Sequence, residues 1–324
     1  MTPEEFSLEL GKSYASAAGK ESVTTLAKGI QALFPFWGIK KKALDVAIDG
    51  IEKSDSSPEE KMFRIMSLRK QHKEWKNQSA ILDAAFSVVD SNPELPPPSD
   101  IDEEFISRFL DAGKHVSDKD VQIMWGNILA GEFESPGSTP KSVTRVLSEM
   151  TKSHAEIFST LCSMYVYLAP LSPNGDIAGI SEVLLVPNQR YFPNNSVDGI
   201  SFEALNELEF LGLIKFKPEG LGVTLSVNSS GQIYVVYNNS TVRFKNWSES
   251  QFPCGTVTLT PAGSCIARFV ERKNLADYVP ALKNYICSKS KIKLDEISAS
   301  SLQINEIKDA TGKTIYQFNI AGAE

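Results

Sequence analysis

Residues 102–158 read DEEFISRFLDAGKHVSDKDVQIMWGNILAGEFESPGSTPKSVTRVLSEMTKSHAEIF. Apolar residues recur here at helical spacing, and capping residues punctuate them. Asp100 with Glu103 forms a capping box before Phe105, Ile106, Phe109 and Leu110, and Gly113 follows the last apolar turn. Ser117 with Asp120 opens a second helix, in which Val121, Met124, Trp125, Ile128 and Leu129 face inward and which Gly131 ends. Thr139 followed by Pro140 opens a third helix with Val143, Val146, Leu147 and Met150 inward. Ser153 with Glu156 caps a fourth that buries Phe158, Leu161, Cys162 and Tyr165. Short connections between such helices predict a compact bundle.

Upstream, Ser57, Pro58 and Glu60 mark the start of a long helix running through Met62, Ile65, Met66 and Leu68 toward Ala80, Ile81 and Phe86. Its middle, RKQHKEWKNQ, is basic, and Arg69, Lys70, Lys73 and Lys76 form a row that could face phosphates or simply water. Earlier still, LAKGIQALFPFWGI at 26–39 is apolar and broken by Pro35. The expected result is an aromatic corner of Phe34, Phe36 and Trp37, set in the core or offered to a protein partner, in preference to peripheral membrane contact. SNPELPPPS at 91–99 is a stiff linker, because three prolines cannot continue a helix.

Downstream the pattern changes. SEVLLVPN reads as a strand, and Ser201 to Ile214 as a helix with Phe202, Leu205, Leu208 and Leu211 on one side and Gly212 near its end. Period-two segments follow in VTLSVNSSGQIYVVYNNSTVRF, with SSG and NNS as hairpin turns. A strand from Thr256 to Leu259 leads into a helix capped by Thr260 with Pro261 in its first position. Helix, strands and helix in that order suggest a winged-helix-like unit whose hairpin is the wing. Helical periodicity returns from Leu275 to Ile286, and the tail ends in two or three strands turned by ATGK. The expected fold class is therefore α+β and mostly helical. Its expected parts are a helical N-terminal region (1–90), a helical bundle (100–170), a winged-helix-like region (171–290) and a C-terminal β-hairpin (291–324).

The 324 residues carry a formal charge of -7, unevenly spread. Residues 40–76 hold ten Lys or Arg against seven acids, a local +3, so the remainder is at -10 and repels polyanions. Cys162, Cys254, Cys265 and Cys287 form no CxxC pair, which argues for a reducing, cytoplasmic setting. MTPEEFSLEL lacks the apolar run of a secretory signal, and no stretch approaches the ~20 apolar residues of a membrane span.

Chemistry-bearing residues are dispersed. His72, His115 and His154 have no ligand-spaced neighbour, and Asp118 and Asp120 suit a helix start better than a metal. No GxSxG elbow or GKS/GKT phosphate loop is present. Glu132 and Glu134 read as carboxylates at an exposed helix exit. No catalytic, cofactor or metal site is assigned. On the helix where a winged-helix protein would read DNA, Glu203, Glu207 and Glu209 present an acidic face. That face opposes phosphates and is a candidate protein-interaction surface.

FISRFLDAGKHVSDKDVQIMWGNILAGEFESPGS followed by SHAEIF, with ELEFLGLI and LTPAG downstream, resembles the bacterial family called domain of unknown function 2806. The signature positions are Phe109, Val116, Ser117, Trp125, Leu129, Ala130, Gly131, Glu132, Pro136, Gly137, Leu259, Thr260 and Gly263. The resemblance implies a fold and, by analogy of context, an accessory role in mobile elements and anti-phage defence. Glu132, Pro136 and Gly137 read as conformational residues: proline fixes φ, glycine permits the turn and the carboxylate binds loop amides. The function expected is a non-enzymatic protein-interaction or regulatory module, with a protein partner or self-association. The alternatives are nucleic-acid binding through Arg69, Lys70, Lys73 and Lys76, and hydrolysis by a site assembled from distant residues.

Overall fold

The computed structural model describes residues 41–89 and 102–320, apart from 173, 175–176, 178, 193–199, 225–230, 295–296, 301 and 309–313. Phe34, Phe36, Trp37, Asp100, the 91–99 linker and the ATGK turn lie outside the described residues. The chain divides into two compact units, Met1–Glu149 and Met150–Glu324.

The first unit contains α1 (Lys41–Glu52), α2 (Pro58–Val89), α3 (Glu103–Gly113), α4 (Lys119–Glu134) and α5 (Ser142–Glu149). α2 starts where expected, with the Glu60 amide donating to Ser57 Oγ at 3.2 Å. The other caps shift. Asp102, not Asp100 as expected from spacing, caps α3 by accepting from the Phe105 amide at 3.1 Å. Asp118 caps α4 in place of Ser117, accepting from the amides of Asp120 and Val121 at 3.0 and 3.1 Å. A carboxylate is the stronger acceptor at a helix N-terminus, and Ser117 Oγ instead meets Asn77 Nδ2 at 3.4 Å.

α4 also runs through Gly131 to Glu134, against the expectation that glycine would end it. Glycine inside a helix costs ~1 kcal/mol, whereas the extra turn buries Phe133 completely enough to leave it 1% exposed. α5 begins at Ser142 rather than at Thr139, whose amide donates to Glu132 Oε2 at 2.9 Å. On α4 the inward side includes Gln122, while Val121 and Met124 are only half-buried. Gln122 Nε2 donates to Val116 O at 2.8 Å and to Asn77 Oδ1 at 3.3 Å, and Asn77 Nδ2 donates to Lys114 O at 2.8 Å. These bonds tie α2 to the α3–α4 turn.

α2 and α4 cross at Gly126. A Cβ there would lie 2.4 Å from the Ala84 Cβ and 2.9 Å from the Ile81 carbonyl oxygen, so only glycine permits this approach. Around the crossing Ile81, Phe86, Phe109, Trp125 and Leu129 are buried, each contributing about 1.5–3 kcal/mol by leaving water.

The second unit opens with α6 (Lys152–Cys162). Its cap is Thr151 instead of Ser153, and the reciprocal partner is His154, not Glu156: the His154 amide donates to Thr151 Oγ1 and the Thr151 amide to His154 Nδ1, both at 3.2 Å. Tyr165, expected on this helix, begins β1 (Tyr165–Pro170). An antiparallel five-stranded sheet has the order β2 (Ser181–Leu184), β1, β4 (Ile233–Tyr237), β5 (Ser240–Phe244), β7 (Ile297–Ser300).

β3 (Ile214–Thr224) pairs with β6 (Gln251–Leu259), not with β4. β3 and β4 are therefore not paired with each other, and β4–β5 is part of the larger sheet rather than a wing. The reason lies in β4, where all five residues are buried; such a strand needs cover on both faces and cannot sit in a solvated wing. The NNS turn does join β4 to β5, with Asn238 at φ 48.

α7 (Phe202–Leu211), capped by Ser201, precedes β3, and α8 (Pro261–Ala267), capped by Thr260, follows β6. Gly212 leaves α7 at φ 90. Thr260 Oγ1 lies 2.6 Å from Gly212 O, and a Cβ on Gly263 would fall 1.9 Å from Leu213 O. The LTPAG segment is thus shaped to seat α8 on the end of α7. α9 (Tyr278–Lys289) starts three residues later than its periodicity suggests, with Tyr278 fully buried and its hydroxyl 2.7 Å from Leu185 O. Beyond it, β7 adds to the sheet edge at β5, and β8 (Leu302–Lys308) pairs with β9 (Thr314–Ile320). The molecule is mostly helical, with a helical bundle and a C-terminal mixed α/β region.

Candidate functional site

The groups able to do chemistry stay apart. Among the described residues no group of three or more His, Cys, Asp or Glu could hold a metal ion, and no helix is long and apolar enough to cross a membrane. His154 serves the α6 cap, His72 lies against Trp75 with ring centroids 5.2 Å apart, and His115 is exposed. Burial pushes the Cys162 thiol up to about 12 and the Cys254 thiol to about 11, so both behave as apolar groups.

Glu132 departs from the exposed carboxylate expected of it. It is 2% exposed, and its two oxygens accept from the amides of Gly137 at 2.5 Å and Thr139 at 2.9 Å. Gly137 takes φ 78 to present its amide, which an L side chain would resist. Glu132, Pro136 and Gly137 together shape the α4–α5 connection. The Glu132 carboxylate binds the loop amides of that connection.

An open cleft of ≈ 360 Å³ between α3 and α5 is lined by Phe105, Arg108, Lys141 and Arg145 among others. Two of its cations are held by their own helices, Arg108 by Glu104 at 2.5 Å and Arg145 by Glu149 at 2.8 Å.

The outward side of α7 has more of the character of a recognition surface. Ala204, Leu205, Leu208 and Leu211 point inward. At 100° per residue the opposite arc runs from Glu209 through Phe202, Asn206 and Phe210 to Glu203 and Glu207. Phe202, expected in the core stripe, is 59% exposed because it sits one step off the Leu205–Leu208 line, and Phe210 is 88% exposed. Phe202 keeps one edge-to-face contact with Phe216, with centroids 5.3 Å apart.

The three acids differ in what they do. Glu209 Oε1 accepts from the Phe216 amide at 2.9 Å and so steadies the start of β3. Glu207 lies 3.8 Å from His154 Nε2. Glu203 is held below the usual carboxylate range, first by its own helix-terminal amide and then by Ser201. Glu203 and Glu207 thus flank Phe210 on one edge, with Glu209 on the other. The exposed phenylalanines were absent from the sequence-level site, although placing Phe210 off the leucine stripe on a helical wheel would have found them.

On α2, Arg69, Lys70, Lys73 and Lys76 are all exposed, and Lys70 lies 3.9 Å from Glu74. On β5, Arg243 is bonded to Gln232 Oε1 through Nε at 2.9 Å. Phe34, Phe36 and Trp37 are outside the described residues.

The family model described as "Protein of unknown function (DUF2806)" matches residues 63–283. No curated protein and no solved structure matches the chain.

Proposed function

This chain belongs to the family described as Protein of unknown function (DUF2806), and on that footing we propose a non-enzymatic role, as a regulatory module that holds a protein partner against the outward face of α7. The observation that carries this reading is Phe210, 88% exposed on a helix whose cap and leucine stripe fix its position. Removing such a ring from water contributes about 1.5–3 kcal/mol, and a rigid aromatic anchor costs little entropy to bury. Glu203 and Glu207 beside it favour a partner that presents lysine or arginine next to an apolar side chain. The setting we propose, from the family resemblance, is bacterial anti-phage defence. The same acids disfavour a nucleic acid here, since phosphates and carboxylates repel.

The test is co-purification of the full chain from its native cell, compared with Phe210→Ala and with the double variant Glu203→Lys, Glu207→Lys. The expected result is a stoichiometric protein companion that both variants lose while their urea midpoints stay at the wild-type value. A companion retained by both variants refutes the α7 assignment.

A further inference from the structure

The first five turns of α2 have two unlike sides. Ile65, Leu68 and Trp75 are half-buried on one, where Lys61 Nζ donates to the Glu52 carbonyl of α1 at 3.0 Å. The opposite side leaves Met62 60%, Phe63 74% and Met66 63% exposed. Stepped alternately by three and four residues, that side reads Glu59, Met62, Met66, Arg69, Lys73, Lys76, with Phe63 and Lys70 alongside. This is the spacing of a helix–helix seam. Along it the character changes from acid to apolar to basic. Neither Glu59, Arg69 nor Lys73 has an ionic partner among the described residues.

We infer that this stripe pairs with the same stripe of a second copy of the chain, the two α2 helices running antiparallel. A two-fold axis places one surface against itself, so each contact is made twice. With the axis between Met62 and Met66, Met62 meets the partner's Met66 and Glu59 meets the partner's Arg69. Parallel pairing would oppose Glu59 to Glu59 and Arg69 to Arg69, which like-charge repulsion disfavours. The apolar centre fits a helical partner better than a phosphate chain, because a polyanion laid on Arg69, Lys73 and Lys76 would leave Met62, Phe63 and Met66 in water. Methionine adapts well to such a seam.

Sedimentation of the full chain at micromolar concentration tests the pairing. Wild type should run at twice the 35.6 kDa chain mass. Glu59→Arg should weaken self-association about tenfold or more, and the swap Glu59→Arg with Arg69→Glu should restore it. Met66→Glu should give single chains, with far-UV circular dichroism confirming that each variant keeps its helix content. Wild type at the single-chain mass overturns the inference. So does a swap that stays as weak as Glu59→Arg, or a single-chain wild type that binds duplex DNA and loses it with Arg69→Glu.

Discussion

Replacing Glu132 by glutamine keeps size and shape but removes the charge, and the effect can be worked from its two bonds. The carboxylate accepts from the Gly137 and Thr139 amides, and Thr139 is 6% exposed. A glutamine carbonyl can accept from one amide, but its NH₂ then faces the other, donor to donor. One hydrogen bond to a charged acceptor, about 1.5–3 kcal/mol, is lost, and a buried amide is left without an acceptor. The connection between α4 and α5 should open more easily by about 2 kcal/mol or more. At 1.4 kcal/mol per decade, that is about a 30-fold or greater rise in amide exchange. Hydrogen exchange read by mass spectrometry over 133–141 measures this, with the α9 peptide as an internal control. A Glu132→Gln variant whose protection at 133–141 stays within threefold of wild type would refute the staple.

Gly263→Ala should lower stability by about 3 kcal/mol or more, seen as a reduced urea midpoint, because its Cβ would lie 1.9 Å from a backbone oxygen that has nowhere to move. Gly126→Ala should cost about 1–3 kcal/mol by forcing α2 and α4 apart, and a variant as stable as wild type would remove the crossing from the account. Cys162 and Cys254, with thiols raised to about 12 and about 11, should resist alkylation in the folded protein at mildly alkaline pH while half-buried Cys287 reacts first. Their raised values also set a sign. The stability they contribute is complete below the ordinary thiol value of 9.0 and is lost as pH rises toward about 11 and 12, so the urea midpoint should fall over that range.

Element type was legible wherever the apolar period was long. The starts of α2 and α8 follow from Ser57–Pro58 and Thr260–Pro261, because proline at the first helical position leaves little choice. Caps were legible only to within a residue or two. Ser117 and Asp118 are adjacent and both able to cap, and the decision falls to Asn77, forty residues away, which occupies the serine hydroxyl. Strand partnership was hidden for a similar reason: nothing local in Ile214–Thr224 shows that Gln251–Leu259 will lie beside it. At the candidate site the acids of α7 could be read from the sequence, but Phe202 was assigned to the stripe it narrowly misses. Glu132 looked exposed because its partners, Gly137 and Thr139, return to it only after the chain has turned.

The Thr260 hydroxyl stands 2.6 Å from Gly212 O, and its amide donates to Leu213 O at 3.0 Å. Residues forty-eight positions apart are thereby knotted at one point, through which the chain leaves α7 and re-enters α8. Everything between them is an excursion with a common exit and return. Within it β3 and β6 pair with each other, whereas β4 and β5 reach out to β1 and β7, so this single excursion supplies strands to two sheets.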